Sequence, residues 1–205
     1  MKNGICYVIG AGECVRLPQN INEEDMVIAV DGGFQYVKNS RVDLVVGDFD
    51  SLGFVPEHPN VLRLKPEKDD TDMLVALKEG LKAGYLDFHI YGGCGGRFEH
   101  TIANIQSLAY LAQHGAKGTL RDGDTVITML TNNVLILPSE LTGYLSVFSY
   151  GEKAEGVTLK GVKYPLERAT LTDNFPIGVS NEFTGQSAEI SVEKGRLLIL
   201  YNHAE

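Results

Sequence analysis

The chain of 205 residues has 43% hydrophobic and 22% charged residues, a composition that supplies the core of one or two domains and excludes an intrinsically disordered protein. Its formal net charge of −9 argues against a nucleic-acid partner. The three cysteines lack a CxxC spacing, which excludes a disulfide framework and a thiolate zinc site. We expect reduced thiols, a cytoplasmic location, no signal segment and no membrane-spanning run.

Short apolar runs alternate with helical patterns in the first part of the chain. Strands are predicted at residues 5–10, 26–30, 44–46, 61–64 and 88–91. Amphipathic helices are predicted at residues 71–82 and 100–114, each followed by a glycine, Gly84 or Gly115, where a left-handed closing residue is expected. Apolar strands between helices are typical of a parallel sheet, so a doubly wound α/β layer is predicted.

Helical periodicity is lost after residue 118, and short β runs follow one another. Strands are predicted at residues 125–130, 134–137, 144–150, 156–159, 188–192 and 197–201. Lys194-Gly195, between the last two runs, predicts a tight hairpin. We therefore expect an antiparallel β domain at residues 121–205, after an α/β domain at residues 1–120.

An acidic motif follows the predicted strand at residues 44–46 and reads Gly47-Asp48-Phe49-Asp50-Ser51. Residues two apart in extended chain point to the same side, so Asp48 and Asp50 are expected to present their carboxylates together. Like charges this close resist joint ionisation, and a Mg²⁺ ion removes the conflict. The alternative is an Asp-rich turn whose side chains accept hydrogen bonds from local backbone amides.

A second acidic segment, Glu67-Lys68-Asp69-Asp70-Thr71-Asp72, precedes the helix at residues 71–82. One interpretation is a helix N-cap formed by one of its carboxylates or by Thr71. The polar run is longer than a cap requires, and it follows the strand at residues 61–64, whose carboxyl end lies at the ligand-binding edge of an open α/β sheet. We predict Asp72 as the third metal-binding carboxylate.

A glycine-rich segment lies between the strand at residues 88–91 and the next helix and reads Gly92-Gly93-Cys94-Gly95-Gly96-Arg97-Phe98-Glu99-His100. Its glycines allow backbone amides to approach an anion closely, and the helix start adds a favourable field. Arg97 adds a guanidinium fork that can grip phosphate oxygens. The alternative is a flexible connection with Arg97 and Glu99 paired on the surface.

The segment Gly10-Ala11-Gly12-Glu13-Cys14-Val15 follows a strand and precedes Asp31, which is a near match to the dinucleotide-binding fingerprint. The third glycine is missing, and Pro18 leaves no room for the helix that the fingerprint must open. We therefore do not predict a nicotinamide cofactor. Asp31-Gly32-Gly33 either closes on a nucleotide or makes a turn.

Four of these segments closely resemble, in order and spacing, the motifs of the thiamine pyrophosphokinase family. They are Asp31-Gly32-Gly33, Gly47-Asp48-Phe49-Asp50-Ser51, Lys68-Asp69-Asp70-Thr71-Asp72 and Gly92-Gly93-Cys94-Gly95-Gly96-Arg97-Phe98-Glu99-His100. The resemblance extends more loosely to the β-rich remainder, where residues 178–182 are similar to the family's thiamine-contacting segment. It implies a Rossmann-like ATP-binding domain joined to a β-sandwich, in a homodimer with thiamine bound where the two subunits meet.

The resemblance also implies a reaction, in which the thiamine hydroxyl attacks the β-phosphorus of ATP and AMP departs. Such a transfer needs charge neutralisation and alignment more than a covalent nucleophile. The implied Mg²⁺ ligands are Asp48, Asp50 and Asp72, which with Arg97 form the implied catalytic set. The implied ATP contacts are Asp31, Gly32, Lys68, Thr71, Gly92, Gly93, Gly96, Arg97 and His100.

The implied thiamine contacts are Ser180, Asn181 and Glu182, although short polar side chains suit a turn equally well. Some members of the family stack the thiamine ring on a tryptophan, and this chain contains none. Phe183 or Tyr164 is the candidate substitute. Two other functions stay open: a pyrophosphokinase of the same scaffold that acts on another alcohol, such as a hydroxymethyl pterin, and a non-catalytic nucleotide or thiamine sensor.

Overall fold

The computed structural model describes residues 2–12, 17 and 20–203. The chain forms two compact units, Met1–Gly123 and Asp124–Glu205, called unit 1 and unit 2 below. No helix in the described ranges is long and apolar enough to cross a membrane.

Unit 1 is an α/β unit whose strands all pair in parallel. In chain order its elements are β1 (Cys6–Ile9), β2 (Met26–Val30), a 3₁₀ turn (Asp31–Gly33), α1 (Phe34–Val37), β3 (Leu44–Gly47), β4 (Val61–Arg63), α2 (Asp72–Lys82), β5 (Asp87–Tyr91), α3 (Phe98–Gln113) and β6 (Lys117–Asp122). The strand order is β6-β5-β1-β2-β3-β4. The chain moves outward from β1 to β4 and then returns to β5 on the other side of β1. This reversal of direction marks the crevice where open α/β sheets bind ligands.

Helices cover both faces of this sheet, as the predicted doubly wound layer requires. α2 lies so close to one face that a Cβ on Gly80 would be 2.5 Å from the Phe88 ring and 2.8 Å from Cys6 Sγ. Burial there raises the pKa of the Cys6 thiol to about 12, so this cysteine is an inert part of the core. On the opposite face, Val37 of α1 packs in a cluster with Tyr7.

The start of α2 and the residues that follow both long helices agree with the sequence analysis. Thr71 is the N-cap of α2, and its Oγ1 accepts a hydrogen bond from Leu74 N at 3.1 Å. Gly84 and Gly115, just beyond α2 and α3, have φ angles of 92° and 71°. A left-handed glycine after each helix is therefore confirmed.

Unit 2 is an antiparallel β-sandwich. Its strands are β7 (Thr125–Thr131), β8 (Val134–Leu137), β9 (Tyr144–Ser149), β10 (Lys153–Lys160), β11 (Leu166–Thr172), β12 (Asn181–Glu182), β13 (Ala188–Ser191) and β14 (Arg196–Asn202). Within unit 2 they form two layers with the orders β12-β9-β14-β7 and β11-β10-β13-β8. One buried cluster joins the layers, with Leu145 and Leu197 from the first and Leu159 and Ile190 from the second.

The predicted hairpin at Lys194-Gly195 is wrong. β13 pairs with β10 and β8, whereas β14 pairs with β7 and β9, so the Lys194-Gly195 connection crosses from one layer to the other. The run at residues 188–192 alternates apolar and polar residues, and the run at residues 197–201 is apolar throughout. Neither pattern distinguishes a chain that folds back in one sheet from a chain that crosses the sandwich. Gly195 has a φ of 113°, and a Cβ there would lie 2.6 Å from Lys153 O, so this crossing requires glycine.

Candidate active site

A cleft of about 530 Å³ lies in unit 1 at the carboxyl ends of its parallel strands. Segments that follow β1, β2, β3, β4 and β5 all contribute to it. The lining residues are 10–12, 30, 31, 48, 50, 51, 66, 68, 70–73, 92–97, 100 and 104. The two acidic segments and the glycine-rich segment singled out in the sequence thus face one another across a single cavity.

Three carboxylates come together inside this cleft. Asp31, Asp48 and Asp72 each offer an oxygen, and these atoms all lie within 4.8 Å of one another. We call these residues the acidic cluster. The structure groups Asp48 with Asp72 as the sequence predicts, but it adds Asp31 to the pair rather than Asp50.

Asp50 lies apart because the chain turns at Phe49. Phe49 has a φ of 64°, so the extended geometry that would align Asp48 with Asp50 is absent here. Asp48 Oδ1 instead accepts a hydrogen bond from Asp50 N at 3.3 Å, as in the turn alternative. The Asp50 side chain is exposed but still lines the cleft. Its role as a metal ligand therefore stays a prediction.

Asp31 is held in place by the segment that carries Asp48. Asp31 has a φ of 50°, at the start of the 3₁₀ turn after β2. Its Oδ1 accepts from Phe49 N at 3.1 Å, and its Oδ2 accepts from Ser51 Oγ at 2.8 Å. Asp31-Gly32-Gly33 is thus a turn that aims a carboxylate into the cleft. Gly32 is not among the lining residues.

Lys68 bridges two members of the acidic cluster. Its Nζ lies 3.0 Å from Asp48 Oδ2 and 2.8 Å from Asp72 Oδ1. Burial acts to lower the pKa of Lys68, but the hydrogen bonds and charges of Asp72 and Asp48 outweigh it and raise the pKa. The hydrogen bond from Lys68, opposed by burial, lowers the pKa of Asp48. Lys68 therefore stays a cation and partly neutralises the cluster.

Asp72 carries the clearest sign that a cation belongs here. Its Oδ1 is enclosed, and it faces Lys68 Nζ at 2.8 Å. Burial raises the pKa of Asp72, and the charges of Asp48 and Asp31 add to this against the opposing effect of Lys68. An enclosed oxygen beside two other carboxylates is a donor set suited to a hard divalent ion such as Mg²⁺. The residues present fit that ion.

The glycine loop, residues 92–96, forms the opposite wall. Gly92, Gly95 and Gly96 have φ angles of 61°, 80° and 60°, which explains the need for glycine. Gly12 N donates to Gly92 O at 2.8 Å, and a Cβ on Gly12 would lie 2.1 Å from Cys94 O. The segment that mimics a dinucleotide fingerprint therefore packs against this loop. Its continuation at residues 13–16, and Pro18, lie outside the described residues.

Arg97 and His100 lie where the glycine loop enters α3, and both line the cleft. The Arg97 side chain is 73% exposed, and its Nε lies 3.7 Å from Glu99 Oε1. A contact of this length between exposed groups holds the guanidinium weakly. The surface pair with Glu99 is thus present, and phosphate contacts from Arg97 and His100 stay predictions.

In unit 2, the segment predicted to contact thiamine is organised by Asn181. This side chain is only 4% exposed: its Oδ1 accepts from Tyr164 N and Glu182 N, and its Nδ2 donates to Tyr164 O at 2.7 Å. Glu182 Oε1 pairs with Lys163 Nζ at 2.7 Å. Ser180 is exposed, with a φ of 58°. The Asn181 amide therefore holds the backbone, and a thiamine contact from these residues stays a prediction.

The two candidate aromatic residues differ in exposure. The Tyr164 ring is 57% exposed, with Lys163 Nζ 5.4 Å from its centroid. Phe183 is partly buried against the sandwich core. Tyr164 is therefore the ring better placed for stacking on a ligand.

Asn104 of α3 is a cleft residue that sequence reasoning missed. It is 7% exposed, and its Nδ2 donates to Gly93 O at 2.6 Å. The available signal was a polar residue on the apolar face that carries Leu108 and Leu111. A buried amide needs hydrogen-bond partners, and the glycine loop supplies one.

Comparison with known proteins gives one consistent family. The family model "Thiamin pyrophosphokinase, catalytic domain" matches residues 17–120, and "Thiamin pyrophosphokinase, vitamin B1 binding domain" matches residues 132–197. The thiamine pyrophosphokinase of Bacillus subtilis (strain 168) is 30% identical over 189 residues, which cover 87% of this chain and 88% of that protein.

Solved structures agree. A crystal structure of thiamine pyrophosphokinase from Bacillus subtilis matches with a TM-score of 0.86 and 26% identity, covering 98% of this chain and 99% of that one. A thiamin pyrophosphokinase family protein from Enterococcus faecalis matches with a TM-score of 0.82 and 25% identity, covering 99% and 100%. With matches to both family models and a 30% identical relative along most of its length, the chain belongs to the thiamine pyrophosphokinase family.

Proposed function

We propose that the protein transfers the pyrophosphoryl group of ATP to the hydroxyl of thiamine, giving thiamine diphosphate and AMP. The observation that carries this proposal is the cleft of unit 1, where the acidic cluster faces the glycine loop. One wall offers oxygen ligands for a divalent cation, and the other offers closely approachable backbone for phosphates. Membership in the thiamine pyrophosphokinase family supports thiamine as the acceptor.

The acidic cluster would hold Mg²⁺ through Asp31, Asp48 and Asp72. Bound there, the ion supplies charge neutralisation for the phosphate oxygens. Lys68 bridges Asp48 and Asp72, so it adds a second positive charge beside the carboxylates that would hold the ion. Asp31 needs no reorganisation on binding, because Phe49 N and Ser51 Oγ already fix both of its oxygens.

The reaction breaks the bond between the α- and β-phosphates of ATP. The thiamine hydroxyl oxygen forms a bond to the β-phosphorus, AMP leaves, and the hydroxyl proton passes to a base. No covalent enzyme intermediate is needed. Cys94 lies in the cleft wall, but burial raises the pKa of its thiol to about 11, so it is a neutral wall group at pH 7. Positioning and charge stabilisation supply the catalysis.

We place thiamine on unit 2, beside Ser180 and Glu182, with the exposed Tyr164 ring as the stacking surface. Asn181 supports this surface by fixing the backbone of Tyr164. We also propose that the chain acts as a homodimer with thiamine bound where the subunits meet. Exposed apolar side chains in unit 2 support an interface, namely Tyr144, Tyr164, Phe175, Ile177 and Val179. Activity per mole should then fall on dilution through the dimer's dissociation range, and constant activity across that range contradicts the homodimer.

The direct test incubates the protein with MgATP and thiamine and measures AMP and thiamine diphosphate by chromatography. Equal amounts of both products are expected. ADP in place of AMP contradicts a pyrophosphoryl transfer. A hydroxymethyl pterin, tested in parallel, separates the thiamine enzyme from one that acts on another alcohol. ATP binding without AMP release for either alcohol indicates a sensor.

A further inference from the structure

Asn104 ties down the glycine loop from α3. The residue is nearly buried, lines the cleft, and reaches back across eleven residues to donate from Nδ2 to Gly93 O at 2.6 Å. A carbonyl accepts only, so the amide group facing it must be the NH₂. The contact is therefore directional, and it acts on one peptide group of the loop.

The geometry of a trans peptide gives this contact a consequence. The C=O and the following N–H lie on opposite sides of the peptide unit, and no cis peptide occurs in the described ranges. With Gly93 O drawn to Asn104, the N–H of Cys94 points the other way. Gly92 O is likewise taken by Gly12 N at 2.8 Å, which turns the N–H of Gly93 away from Gly12.

Two consecutive carbonyls of the loop are thus occupied. Among the described residues, neither Gly93 N nor Cys94 N donates a hydrogen bond to another part of the chain. Both residues line the cleft. These two N–H groups are therefore free to donate to a phosphate in the cleft, and the two carbonyl oxygens, which would repel a phosphate, are already paired with Asn104 and Gly12.

The loop needs such a restraint because glycine supplies none. A Cβ on Gly93 would lie 2.4 Å from Leu120 Cδ1, so a larger residue is crowded there, and glycine leaves the adjoining peptides free to rotate. Without the Asn104 donor, the Gly93–Cys94 peptide can rotate and present its carbonyl to the cleft. The hydrogen bond therefore selects the orientation that receives an anion.

We propose that Asn104 is a positioning residue for nucleotide binding, which fixes the Gly93–Cys94 peptide so that its N–H faces the phosphates of the nucleotide. This inference rests on the proposed function, because it takes ATP as the ligand of the cleft. It assigns to Asn104 a role in nucleotide affinity that is separate from the acidic cluster and its cation.

The test compares N104D with a matched control, S107A, in the full chain. Aspartate has the size of asparagine, but its carboxylate has no donor for Gly93 O and adds a negative charge. Ser107 is buried on the same helix, and its Oγ donates to Ala103 O, away from the loop. N104D should weaken ATP binding in EDTA and raise the KM for ATP by at least about tenfold, with a smaller change in kcat. S107A should keep both values within about twofold.

Mn²⁺ affinity, measured by electron paramagnetic resonance, separates a positioning role from a general loss of structure. A general loss of structure would weaken Mn²⁺ binding together with ATP binding. N104D should not lower the Mn²⁺ affinity, because the acidic cluster is untouched and an added carboxylate does not repel a cation. Equal loss of Mn²⁺ and ATP affinity contradicts a positioning role. If N104D binds ATP like the wild type, this inference fails while the proposed function stands, and a wild-type protein that binds no ATP contradicts both.

A second measurement uses only the wild-type protein. Nuclear magnetic resonance of ¹⁵N-labelled chain, titrated with ATP in EDTA, should shift the amide signals of Gly93 and Cys94 more than that of Gly123, a loop glycine outside the cleft lining. Unshifted Gly93 and Cys94 signals at saturating ATP overturn the inference.

Discussion

The polar residues that the sequence marks for binding have different partners in the two units. In unit 1, Asp31, Asp48 and Asp72 face one another, so their charges repel, and Lys68 neutralises only part of this charge. In unit 2, the Asn181 amide forms its hydrogen bonds with the backbone of Tyr164 and Glu182. The parallel sheet gathers three carboxylates beside one lysine, which leaves negative charge for a cation to neutralise, whereas the sandwich turn pairs its polar side chain with its own backbone. The first group should matter for activity, and the second for stability.

The largest expected effect is on turnover, from D72N. The change removes a carboxylate of the acidic cluster and should reduce AMP release at least about 100-fold. The pKa of Asp72 is raised, so its charged form is disfavoured in the folded state and destabilises the fold above the ordinary Asp value of 3.8. The melting temperature in EDTA at pH 7 should therefore stay level or rise. D69N, an exposed neighbour outside the cleft lining, is the control. A large fall in melting temperature would show that Asp72 serves the fold.

The next effect is on stability, from N181A. The change leaves partly buried backbone groups of Tyr164 and Glu182 without their partner and should lower the free energy of unfolding by about 2 kcal/mol, measured by urea denaturation. S180A should change it by less than about 0.5 kcal/mol, since Ser180 is exposed and its backbone N–H, which donates to Ser146 Oγ, is kept. A stable N181A protein with a raised KM for thiamine would contradict this prediction, because it would show that Asn181 serves binding rather than stability.

A third prediction tests whether Asp31 or Asp50 binds the metal ion together with Asp48 and Asp72. D31N should weaken Mn²⁺ binding in the absence of nucleotide by at least about tenfold, because Asp31 lies within 4.8 Å of its partners. D50N should change this affinity by less than about twofold. Titration followed by electron paramagnetic resonance separates the two variants. The reverse order of effects would restore Asp50 as the ligand and remove Asp31.

The smallest effect concerns Lys68 in metal-free protein. Asp48 has a lowered pKa, so its pairing stabilises the fold above the ordinary value of 3.8 and is lost as pH falls through the lowered pKa. Lys68 has a raised pKa, so its contribution is complete below 10.5 and is lost above it. K68M should therefore cost about 1 kcal/mol between those values, measured by denaturation in EDTA. The difference from wild type should vanish in strong acid, and a constant difference at all pH values would indicate lost packing instead.

Much of unit 1 is predictable because its signals are redundant. Strands covered on both faces are continuous apolar runs, and the rule that ligands bind at the carboxyl strand ends locates the cleft. The grouping of carboxylates is less predictable, since it depends on single dihedral angles. A positive φ at Phe49 separates Asp50 from Asp48, and another at Asp31 turns that side chain inward.

Unit 2 shows where local patterns are insufficient. β11 was not predicted, because most of its side chains are exposed and give no apolar alternation. The crossing at Lys194-Gly195 depends on which layer receives each strand, a tertiary choice that the dipeptide does not encode. The Asn181 contacts also join positions 164 and 181, which no short window contains together.

The backbone contact between Gly12 and the glycine loop limits how this cleft can be redesigned. Any side chain at residue 12 would overlap Cys94 O or Gly92 O. The Gly12 segment and the glycine loop therefore meet through backbone atoms, which cannot adjust to a larger residue. A larger residue at this contact would displace the Gly12 segment and the glycine loop from each other and misplace both. Engineering for a different phosphate donor should instead vary the exposed rim, at Arg97 or His100, where a new side chain has open space around it.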